Sequence, residues 1–489
     1  MSRLMYTPVV GLLYGLAVMA DSTGLAGAPR PEFHECQIGA PDSGTHLQAL
    51  CTTFTVPEDR AHPSAKKIGL RVAWLRARAS NPKPDALFFI AGGPGQASTE
   101  AFLEEAAAFD RIRSEHDIVL VDQRGTGGSN RLDCPDLPDG AKPGDAVVTA
   151  AVQACLKQLP GDPRFYTTTV AVQDLDAVRA ALGYKQVDLY GISYGTRVAL
   201  QYLRAYPDSI RSVILDGVVP ADLALGPDVS LDAQRALDLI FKRCDQDAAC
   251  HQAFPDLTGS FAALQKDLES HPVNVQLRDP LTGAPRSEQL SWDKVAGTVR
   301  LMSYQSETVA LLPLLIHQAA AQHDYLPLMS NALLFRDEVS EGFAQGMGAA
   351  VICTEDAPFI TPDRQQKLQD TYLGDDAMSA LVKSCQLWPR GVMDPDFKRP
   401  VVSAKPVLLL SGEDDPITPP ANAERVAKTL SDSLSLVDPG QGHGNLFRGC
   451  VPRIAADFID AGSVKGLDTA CIKDMKPLPF FVNFSGPKP

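Results

Sequence analysis

Short, densely apolar runs recur along the first half of the chain and return near its end. Three of the first five are dense in Val, Ile, Leu and Phe and end in Gly or Asp, which is typical of buried parallel strands with functional residues at their carboxyl ends. The pattern predicts a mostly parallel sheet built from the runs LRVAWLRA (70–77), ALFFIAG (86–92), DIVLVDQ (117–123), QVDLYGI (186–192), SVILDGV (212–218), KPVLLLSG (405–412) and SLSLVDPG (433–440).

Amphipathic stretches at helical spacing lie between these runs and dominate the middle of the chain. Residues 171–183 stop at Gly183, and residues 196–207, which directly follow the segment 191–195, end at Pro207. Both stops are ordinary helix-ending signals, so a strand, a turn and a helix are predicted around Ser193. The middle adds helical patterns at 231–244, 259–270 and 306–322, and a hairpin pattern over 273–292 around Leu281-Thr282-Gly283.

The predicted fold class is therefore α/β, with a mostly parallel central sheet flanked by helices and interrupted by a mostly helical cap insertion. We expect a signal peptide at 1–20, a leader or N-terminal segment at 21–50, the first part of the core at 51–220, the cap at 221–400 and the C-terminal part of the core at 401–489.

The first twenty residues have the composition of a secretory signal. Arg3 supplies the positive charge, residues 9–20 form a short apolar run, and Ala20 before Asp21 suits signal peptidase. The run is about a dozen residues long and short for a membrane span, although an uncleaved anchor is the alternative. We expect a secreted or periplasmic protein that is not stably inserted in a membrane after cleavage.

Cysteine content and net charge restrict the cellular compartment, the cofactors and the partners that are expected. Ten cysteines behind a signal peptide predict disulfides formed in an oxidising compartment, with nearest-neighbour pairing closing five loops and Cys36–Cys51 and Cys244–Cys250 favoured most. Neither C-x-x-C nor H-E-x-x-H occurs, so neither a metal site nor a cofactor is predicted. The net charge of −14 disfavours nucleic acid as a partner, and the oligomeric state is not readable. The disulfide candidates are Cys36, Cys51, Cys134, Cys155, Cys244, Cys250, Cys353, Cys385, Cys450 and Cys471.

The stretch Gly191-Ile192-Ser193-Tyr194-Gly195 has the form G-x-S-x-G at the predicted strand-to-helix junction. Glycines on both sides allow the tight turn that presents a serine hydroxyl at a helix N-terminus. The same pattern also occurs by chance in ordinary turns. A serine acts as a nucleophile only when a base takes its proton and donors stabilise the oxyanion, so three further pieces are required.

Oxyanion donors are expected in the segment Ala91-Gly92-Gly93-Pro94-Gly95, which follows the apolar run ALFFI. Proline has no N–H, so Gly93 is the favoured donor, with the backbone N–H of Tyr194 as its partner. A plain tight turn is the alternative for this segment.

The acid and the base are sought downstream, because in hydrolases with this serine turn an Asp or Glu and then a His follow in chain order. Glu413, Asp414 and Asp415 follow the run 405–412, and Asp415, just before a proline, is favoured. Asp216, at the end of another run, is a competitor. Of nine histidines only His443 lies after Asp415, in the loop PGQGHGN, and we predict that it is the base.

With these pieces placed, the chain resembles the α/β-hydrolase fold, and more narrowly the serine peptidases that include prolyl and tripeptidyl aminopeptidases. By position, Ser193, Asp415 and His443 match the family's nucleophile, acid and base. The resemblance covers nearly all of 51–472 and is carried by AGGPGQAS (91–98), DIVLVDQRGTGGSN (117–130), VDLYGISYGTRVALQYLRAYP (187–207), GEDDPITPP (412–420) and GQGHGN (440–445). The motif D-Q-R-G-T-G-x-S is the most specific of these, because esterases and lipases usually lack it.

Two positions differ from the short intracellular prolyl aminopeptidases, which typically have a histidine before GGPG and G-G-S-W-G at the nucleophile. Here Ala91 and Gly-Ile-Ser-Tyr-Gly stand instead. Together with the signal peptide and the cysteines, these departures favour the longer, exported, tripeptidyl-aminopeptidase-like branch, whose C-terminal portion the region after about residue 380 also resembles.

The resemblance implies a serine exopeptidase that hydrolyses peptide bonds near a free N-terminus through a Ser-Asp-His triad and an acyl-enzyme. Such an enzyme needs a carboxylate for the substrate ammonium, and Glu355 and Asp356, beside Cys353, are predicted to supply it, with a solvated acidic turn as the alternative. A secreted carboxylesterase with the same triad and a non-catalytic binding protein are the competing classes. The motif D-Q-R-G-T-G and the acidic turn of the cap argue against the esterase, and the complete set of triad residues argues against the binding protein.

Overall fold

The computed structural model describes residues 31–39, 45–135, 146–279 and 282–487. The predicted signal peptide, residues 1–20, lies outside the described residues, as do residues 21–30 and 40–44 of the predicted leader. The strands are β1 His34–Ile38, β2 Leu47–Pro57, β3 Lys67–Leu75, β4 Ala86–Ile90, β5 Asp117–Val121, β6 Val187–Ile192, β7 Ile210–Asp216, β8 Val273–Arg278, β9 Pro285–Leu290, β10 Val407–Gly412 and β11 Ser433–Asp438.

The α-helices flank the sheet and build the cap. They are α1 Ser98–Glu105, α2 Ile112–Glu115, α3 Ala146–Gln158, α4 Thr168–Leu182, α5 Tyr194–Ala205, α6 Pro227–Gln246, α7 Ala248–Ala253, α8 Leu257–Ser270, α9 Trp292–Met302, α10 Ser306–Val309, α11 Leu312–Gln322, α12 Leu326–Gly342, α13 Gln345–Glu355, α14 Pro362–Gln366, α15 Asp376–Cys385, α16 Pro420–Ala427 and α17 Val451–Ala461.

A single large sheet organises the core in the strand order β1-β2-β3-β5-β4-β6-β7-β10-β11. The strands from β5 to β11 in that order run parallel to one another, whereas β1, β2 and β3 pair antiparallel with their neighbours. The central strands are buried on both faces, which explains their continuous apolar character. The predicted α/β fold with a mostly parallel sheet is confirmed.

The register of the parallel strands brings the predicted site residues to one edge of the sheet. Ile192 at the end of β6 pairs with Asp216 at the end of β7, and Asp216 pairs with Leu410 near the end of β10. The loops that follow these three strands therefore leave the sheet side by side, as the carboxyl ends of parallel strands do.

Apolar side chains cover both faces of the sheet and fill the cap separately. Residues of α4, α5 and α16 pack on one face, and residues of α1, α2 and α17 pack on the other. A third cluster joins α6, α8, α9, α11 and α12 with the β8–β9 hairpin, so the cap has a core of its own.

Disulfides close five short loops, since each of the ten cysteines is paired with its neighbour in sequence. The pairs are Cys36–Cys51, Cys134–Cys155, Cys244–Cys250, Cys353–Cys385 and Cys450–Cys471. This pattern agrees with the predicted disulfides and with an oxidising compartment. Across the described ranges, none of the helices has the combination of length and apolar composition that a bilayer crossing requires.

Candidate active site

Ser193 lies between β6 and α5, at the sharp turn that the sequence predicted. Its backbone has φ 57° and ψ −126°, a left-handed conformation that is unusual for a residue with a side chain. Its N–H donates to the Asp216 carbonyl oxygen at 2.8 Å, which fixes the turn to the end of β7. Such strain is retained at functional sites because the surrounding structure holds it in place.

The two glycines of the motif are required by close packing. A Cβ on Gly195 would lie 2.2 Å from the Ile90 carbonyl oxygen, and one on Gly191 would lie 2.4 Å from the Gly195 carbonyl oxygen. Any side chain at either position would push α5 away from the sheet. The motif therefore provides both the turn and the approach of the helix that carries Ser193.

The segment predicted to hold the oxyanion lies against the serine. A Cβ on Gly92 would be 3.0 Å from Ser193 Cβ and 3.6 Å from Ser193 Oγ, so this backbone passes directly beside the hydroxyl. Gly93 has φ +103°, a conformation that favours glycine. The backbone N–H groups of Gly93 and Tyr194 donate to no acceptor within the described part of the chain. Both donors are thus free to bind an oxyanion.

The three carboxylates after β10 have different partners, and their partners separate their roles. Asp415 Oδ2 lies 2.8 Å from His443 Nδ1. Asp414 instead forms an ion pair with Arg243 of the cap, and Glu413 accepts the Gly440 N–H at 2.9 Å. The geometry therefore brings Asp415, rather than its two neighbours, to the histidine.

His443 is held by the cap as well as by the core. Its backbone N–H donates to the Tyr304 carbonyl oxygen at 2.8 Å, and the two rings meet edge to face with centroids 5.2 Å apart. A Cβ on Gly217 would lie 2.8 Å from the imidazole, so the ring also packs on the backbone after β7. These contacts leave the ring buried and closely confined.

The pKa shifts of His443 and Asp415 suit a histidine base that is supported by a carboxylate. Burial would lower the pKa of His443, but Asp415 and, more weakly, Asp216 raise it above its usual value against the opposing effect of Arg300. Burial would raise the pKa of Asp415, but His443 and hydrogen bonds from Thr418 hold it below its usual value. Asp415 is therefore an anion that favours the protonated imidazolium.

Thr418 joins this pair and was missed by the sequence analysis. Its hydroxyl lies 2.7 Å from Asp415 Oδ2 and 3.0 Å from His443 Nδ1, and its backbone N–H donates to Asp415 Oδ1 at 2.8 Å. A threonine three residues after the acid is too common a residue to be singled out from sequence. Only the fold of the loop after β10 shows that it touches both groups.

Ser193 and His443 approach the same edge of the sheet without a direct bond. Among the described residues the Ser193 hydroxyl has no hydrogen-bond partner. In ligand-free enzymes the bond between nucleophile and base is often long and tightens only when substrate binds, so this geometry is compatible with the predicted roles.

Asp216, the competing acid, directs its hydrogen bonds to groups other than the imidazole. Its carboxylate accepts the N–H groups of Asn445 and Leu446 and contacts the Tyr190 hydroxyl, and it makes no hydrogen bond with His443 in the described structure. It is fully buried. The Asp216 carboxylate therefore binds the backbone of the histidine loop and not the imidazole ring.

Glu355 and Asp356, the predicted ammonium ligands, are fully buried between cap and core. Glu355 accepts both the N–H and the hydroxyl of Thr168, and Asp356 forms ion pairs with Arg197 and Lys398. The alternative of a solvated acidic turn is therefore wrong. Because neither carboxyl has exposed surface here, their contact with a substrate stays a prediction that this structure does not display.

The motif D-Q-R-G-T-G shapes the surroundings of the site. Arg124 is fully buried and binds Asp174 through two hydrogen bonds of 2.6 and 2.8 Å. Asp122 accepts the N–H and the hydroxyl of Thr99 at the start of α1, and a Cβ on Gly125 would be 2.9 Å from Met347 of α13. The motif therefore supports the oxyanion segment and the docking of the cap.

A strained serine between strand and helix, free backbone donors beside it, and a buried His–Asp pair define a serine hydrolase of the α/β-hydrolase fold. The sequence comparisons agree. A family model described as alpha/beta hydrolase fold matches residues 85–282, and a second, described as TAP-like protein, matches residues 370–471. The chain has the α/β-hydrolase fold, and its C-terminal part is similar to the TAP-like family.

Curated relatives match most of the chain at low identity. Serine protease Hip1 of Mycobacterium tuberculosis is 26% identical over 90% of this chain and 90% of its own. Tripeptidyl aminopeptidase of Streptomyces coelicolor is 24% identical over 95% of this chain and 90% of its own. Carboxylesterase B of Mycobacterium tuberculosis is 26% identical over 91% of this chain and 90% of its own.

Proposed function

We propose that the protein is an exported serine exopeptidase of the tripeptidyl- or prolyl-aminopeptidase type, which hydrolyses peptide bonds near a free N-terminus. The observation that carries the proposal is the buried pair of His443 Nδ1 and Asp415 Oδ2, 2.8 Å apart, at the sheet edge where the strained Ser193 turn lies. A carboxylate on Nδ1 leaves Nε2 of the imidazole as the atom that exchanges a proton with the serine.

In the first step, His443 Nε2 takes the proton of Ser193 Oγ while Oγ attacks the scissile carbonyl carbon. The N–H groups of Gly93 and Tyr194 bind the resulting oxyanion. The imidazolium, stabilised by the anionic Asp415, then gives its proton to the leaving amine as the C–N bond breaks. The peptide's N-terminal part stays on Ser193 as an ester.

In the second step, water attacks this ester and His443 takes a proton from the water. Collapse of the second tetrahedral intermediate returns the proton to Ser193 Oγ and releases the acid product. No metal or cofactor is needed for either step, because the proton moves only between serine, histidine, water and the leaving amine.

Peptides are the substrates that the relatives favour. A serine protease and a tripeptidyl aminopeptidase align with at least nine-tenths of the chain, so the match includes the cap as well as the sheet. The five disulfides support the exported location, because such bonds persist in oxidising compartments.

Recognition of a substrate ammonium needs a carboxylate that a peptide can reach. Asp232 on α6 is a second choice besides Glu355, because it is only partly buried and α6 lies beside the acid loop, where Arg235 donates to the Asp415 carbonyl oxygen at 2.8 Å. Burial and the neighbouring Asp228 raise the pKa of Asp232 to about 7. An ammonium bound there would stabilise the carboxylate.

The central test replaces the nucleophile. Ser193→Ala should lower kcat by roughly 10⁶-fold, the scale measured for triad serines, and should abolish labelling by a fluorophosphonate while thermal unfolding stays close to that of the wild type. Ser212→Ala, at a serine on the same sheet but outside the site, is the matched control. Retained turnover in the Ser193 variant would contradict the mechanism.

A substrate panel tests the reaction class. Tripeptidyl- and aminoacyl-coumarins with a free amine should be cleaved faster than their N-acetylated forms, and faster than p-nitrophenyl acetate. A carboxylesterase, favoured by the relative of that name, would instead prefer the simple ester and ignore N-acetylation. The panel therefore separates the two enzyme classes.

The same panel locates the ammonium site. Glu355→Gln or Asp232→Asn should reduce the preference for the free amine over the acetylated peptide, whichever residue binds the ammonium. The ester rate reports the condition of the triad in each variant. An equal loss on all substrates would assign that residue to support of the fold instead of to substrate binding.

A further inference from the structure

Asp216 connects two parts of the site that come from distant positions in the chain. Its carboxylate accepts the N–H groups of Asn445 at 2.9 Å and Leu446 at 2.8 Å, which are the second and third residues after His443. Its carbonyl oxygen accepts the Ser193 N–H at 2.8 Å. One residue at the end of β7 thus holds the loop of the predicted base and the turn of the predicted nucleophile.

The Tyr190 hydroxyl lies between the Asp216 carboxylate and a second buried carboxyl, that of Glu105. The Tyr190 hydroxyl is 3.1 Å from Asp216 Oδ2 and 2.9 Å from Glu105 Oε2. A phenol has one hydrogen and can donate it to only one of the two carboxyls, so both contacts are hydrogen bonds only when the other carboxyl carries a proton and donates to the phenol oxygen. Two ionised carboxylates around one hydroxyl would repel each other in a buried site.

The proton belongs on Glu105. Burial raises the pKa of Asp216 as well, but the two backbone N–H groups that point at it can only donate and oppose that rise, whereas Tyr190 is the hydrogen-bond partner of Glu105. Burial, with a contribution from Asp216, raises the pKa of Glu105 to about 8. At neutral pH the chain of bonds therefore runs from Glu105 through Tyr190 to the Asp216 carboxylate.

Aromatic side chains pack around Tyr190 and exclude water from these hydrogen bonds. Four further charged groups lie near the two carboxyls. Tyr190 is fully buried and packs on Phe89 and Phe109, with ring centroids 5.3 and 5.1 Å away. The remaining charged groups near the two carboxyls are Glu104 on α1, Asp438 on β11, Arg448 after the histidine loop, and His443 itself. None of these four donates a hydrogen bond to the Asp216 carboxylate in the described structure.

We propose that Asp216 is a positioning residue for His443, which it holds against the Ser193 turn as an anion, and that protonated Glu105 completes this clamp through Tyr190. The inference rests on the proposed role of His443 as the base. The anion acts in two ways: it fixes the histidine loop through the Asn445 and Leu446 amides, and its negative charge favours the protonated form of the nearby imidazole.

The test measures the rate of fluorophosphonate labelling of Ser193 against pH, which requires the serine and its base but no knowledge of the substrate. Asp216→Asn removes the charge, keeps the size of the side chain and turns its amide toward backbone donors. We expect labelling at neutral pH to slow by roughly tenfold or more because the loop shifts. We also expect the acid limb of the profile to move to lower pH by about half a unit or more, because the imidazolium loses a neighbouring anion.

Glu105→Gln gives an independent result if the Asp216 variant fails to fold. A glutamine amide donates to the Tyr190 oxygen as the protonated carboxyl does, but it cannot ionise. The wild type should lose labelling rate above about pH 8, where Glu105 ionises and repels Asp216, and the Glu105→Gln variant should lack this decline. An alkaline profile identical to that of the wild type would overturn the role of Glu105.

Asp438→Asn is the matched control, because it changes a buried carboxyl at the end of β11, two strands from β7 in the sheet, that has no hydrogen-bond partner in the described structure. It should leave the acid limb in place. An Asp216→Asn protein that folds and labels with the wild-type rate and acid limb would overturn the proposal. Labelling that persists in Ser193→Ala would instead overturn the proposed function, so the two failures are distinguishable.

Discussion

The hydroxyl of Thr418 lies within hydrogen-bond distance of both the acid and the base of the proposed site. A threonine hydroxyl has one hydrogen, and His443 Nδ1–H already donates to Asp415, so the hydroxyl donates to Asp415 Oδ2. This bond fixes one oxygen of the carboxylate and thereby the plane in which the imidazole ring is held.

Replacing Thr418 by valine keeps the shape and removes the hydroxyl. We expect kcat/KM to fall by roughly tenfold, since a hydrogen bond to a charged group is worth about 1.5–3 kcal/mol and part of that loss is recovered by relaxation. Thr418→Ser should restore most of the rate. Equal kinetics for the valine variant and the wild type would show that the contact is incidental.

The acid limb of the activity profile should lie above the usual histidine value. His443 acts as a base only when neutral, and the nearby Asp415 raises its pKa above 6.5. Activity should therefore be lost as pH falls through this raised pKa, and Asp415→Asn should both lower the rate and move the remaining acid limb to lower pH. A kcat/KM profile with its acid limb below 6.5 in the wild type would contradict this assignment.

The sequence was sufficient to predict the serine turn, the neighbouring glycines and one histidine, because chain order and motif spacing leave few choices. It could not choose decisively among Glu413, Asp414 and Asp415, because each follows the same strand. Which of the three reaches the histidine depends on where Arg243 and the Gly440 amide lie, because these groups bind Asp414 and Glu413.

At the scale of elements, the densely apolar strands, β11 and the β8–β9 hairpin were predicted, whereas β1 and β2 were not. Strands β1 and β2 mix polar and apolar residues and pair at the sheet edge, so they lack the continuous apolar runs that mark buried strands. The helix predicted over 306–322 is divided into α10 and α11, with Pro313 in the first turn of α11. A proline fits that turn but breaks a helix interior.

The disulfide Cys353–Cys385 joins α13, which ends at Glu355, to α15 of the cap. It closes a loop with a sequence separation of 32, against 6 for Cys244–Cys250. Loop-closure entropy predicts that Cys353→Ser/Cys385→Ser lowers the free energy of unfolding by ~3–4 kcal/mol, compared with ~2 kcal/mol for Cys244→Ser/Cys250→Ser. Denaturant unfolding of both variants measures the difference, and a larger loss from the short loop would contradict the entropic account.

At the scale of the whole molecule, His116, just before β5, joins the start of β4 to α17. It is buried between Asp85, 3.0 Å from its Nδ1, and Asp460 of α17, 3.2 Å from its Nε2, while Arg211 pairs with Asp188 nearby. Burial would lower the pKa of His116, but Asp85 and Asp188 raise it above 6.5.

A histidine whose pKa is raised on folding stabilises the protein fully below its unfolded pKa, and this stabilisation is lost as pH rises through the folded pKa. His116→Gln should therefore destabilise the protein more near pH 5 than near pH 9. His271→Gln, at an exposed histidine, is the control for thermal unfolding at the two pH values. A loss that is the same at both would show that His116 acts only through packing.

The Tyr304 carbonyl oxygen that receives the His443 N–H belongs to the cap, and Gln441 of the same loop bonds to Ser306, also in the cap. The loop of the base is therefore shaped only after the two halves of the sheet and the insertion between them have folded together. A nascent chain, still reduced and with its cap unformed, has its serine but no fixed imidazole. Under the proposed mechanism the order of folding determines when hydrolysis can begin, and the proposed export of an unfolded chain would keep it inert until it has left the cell.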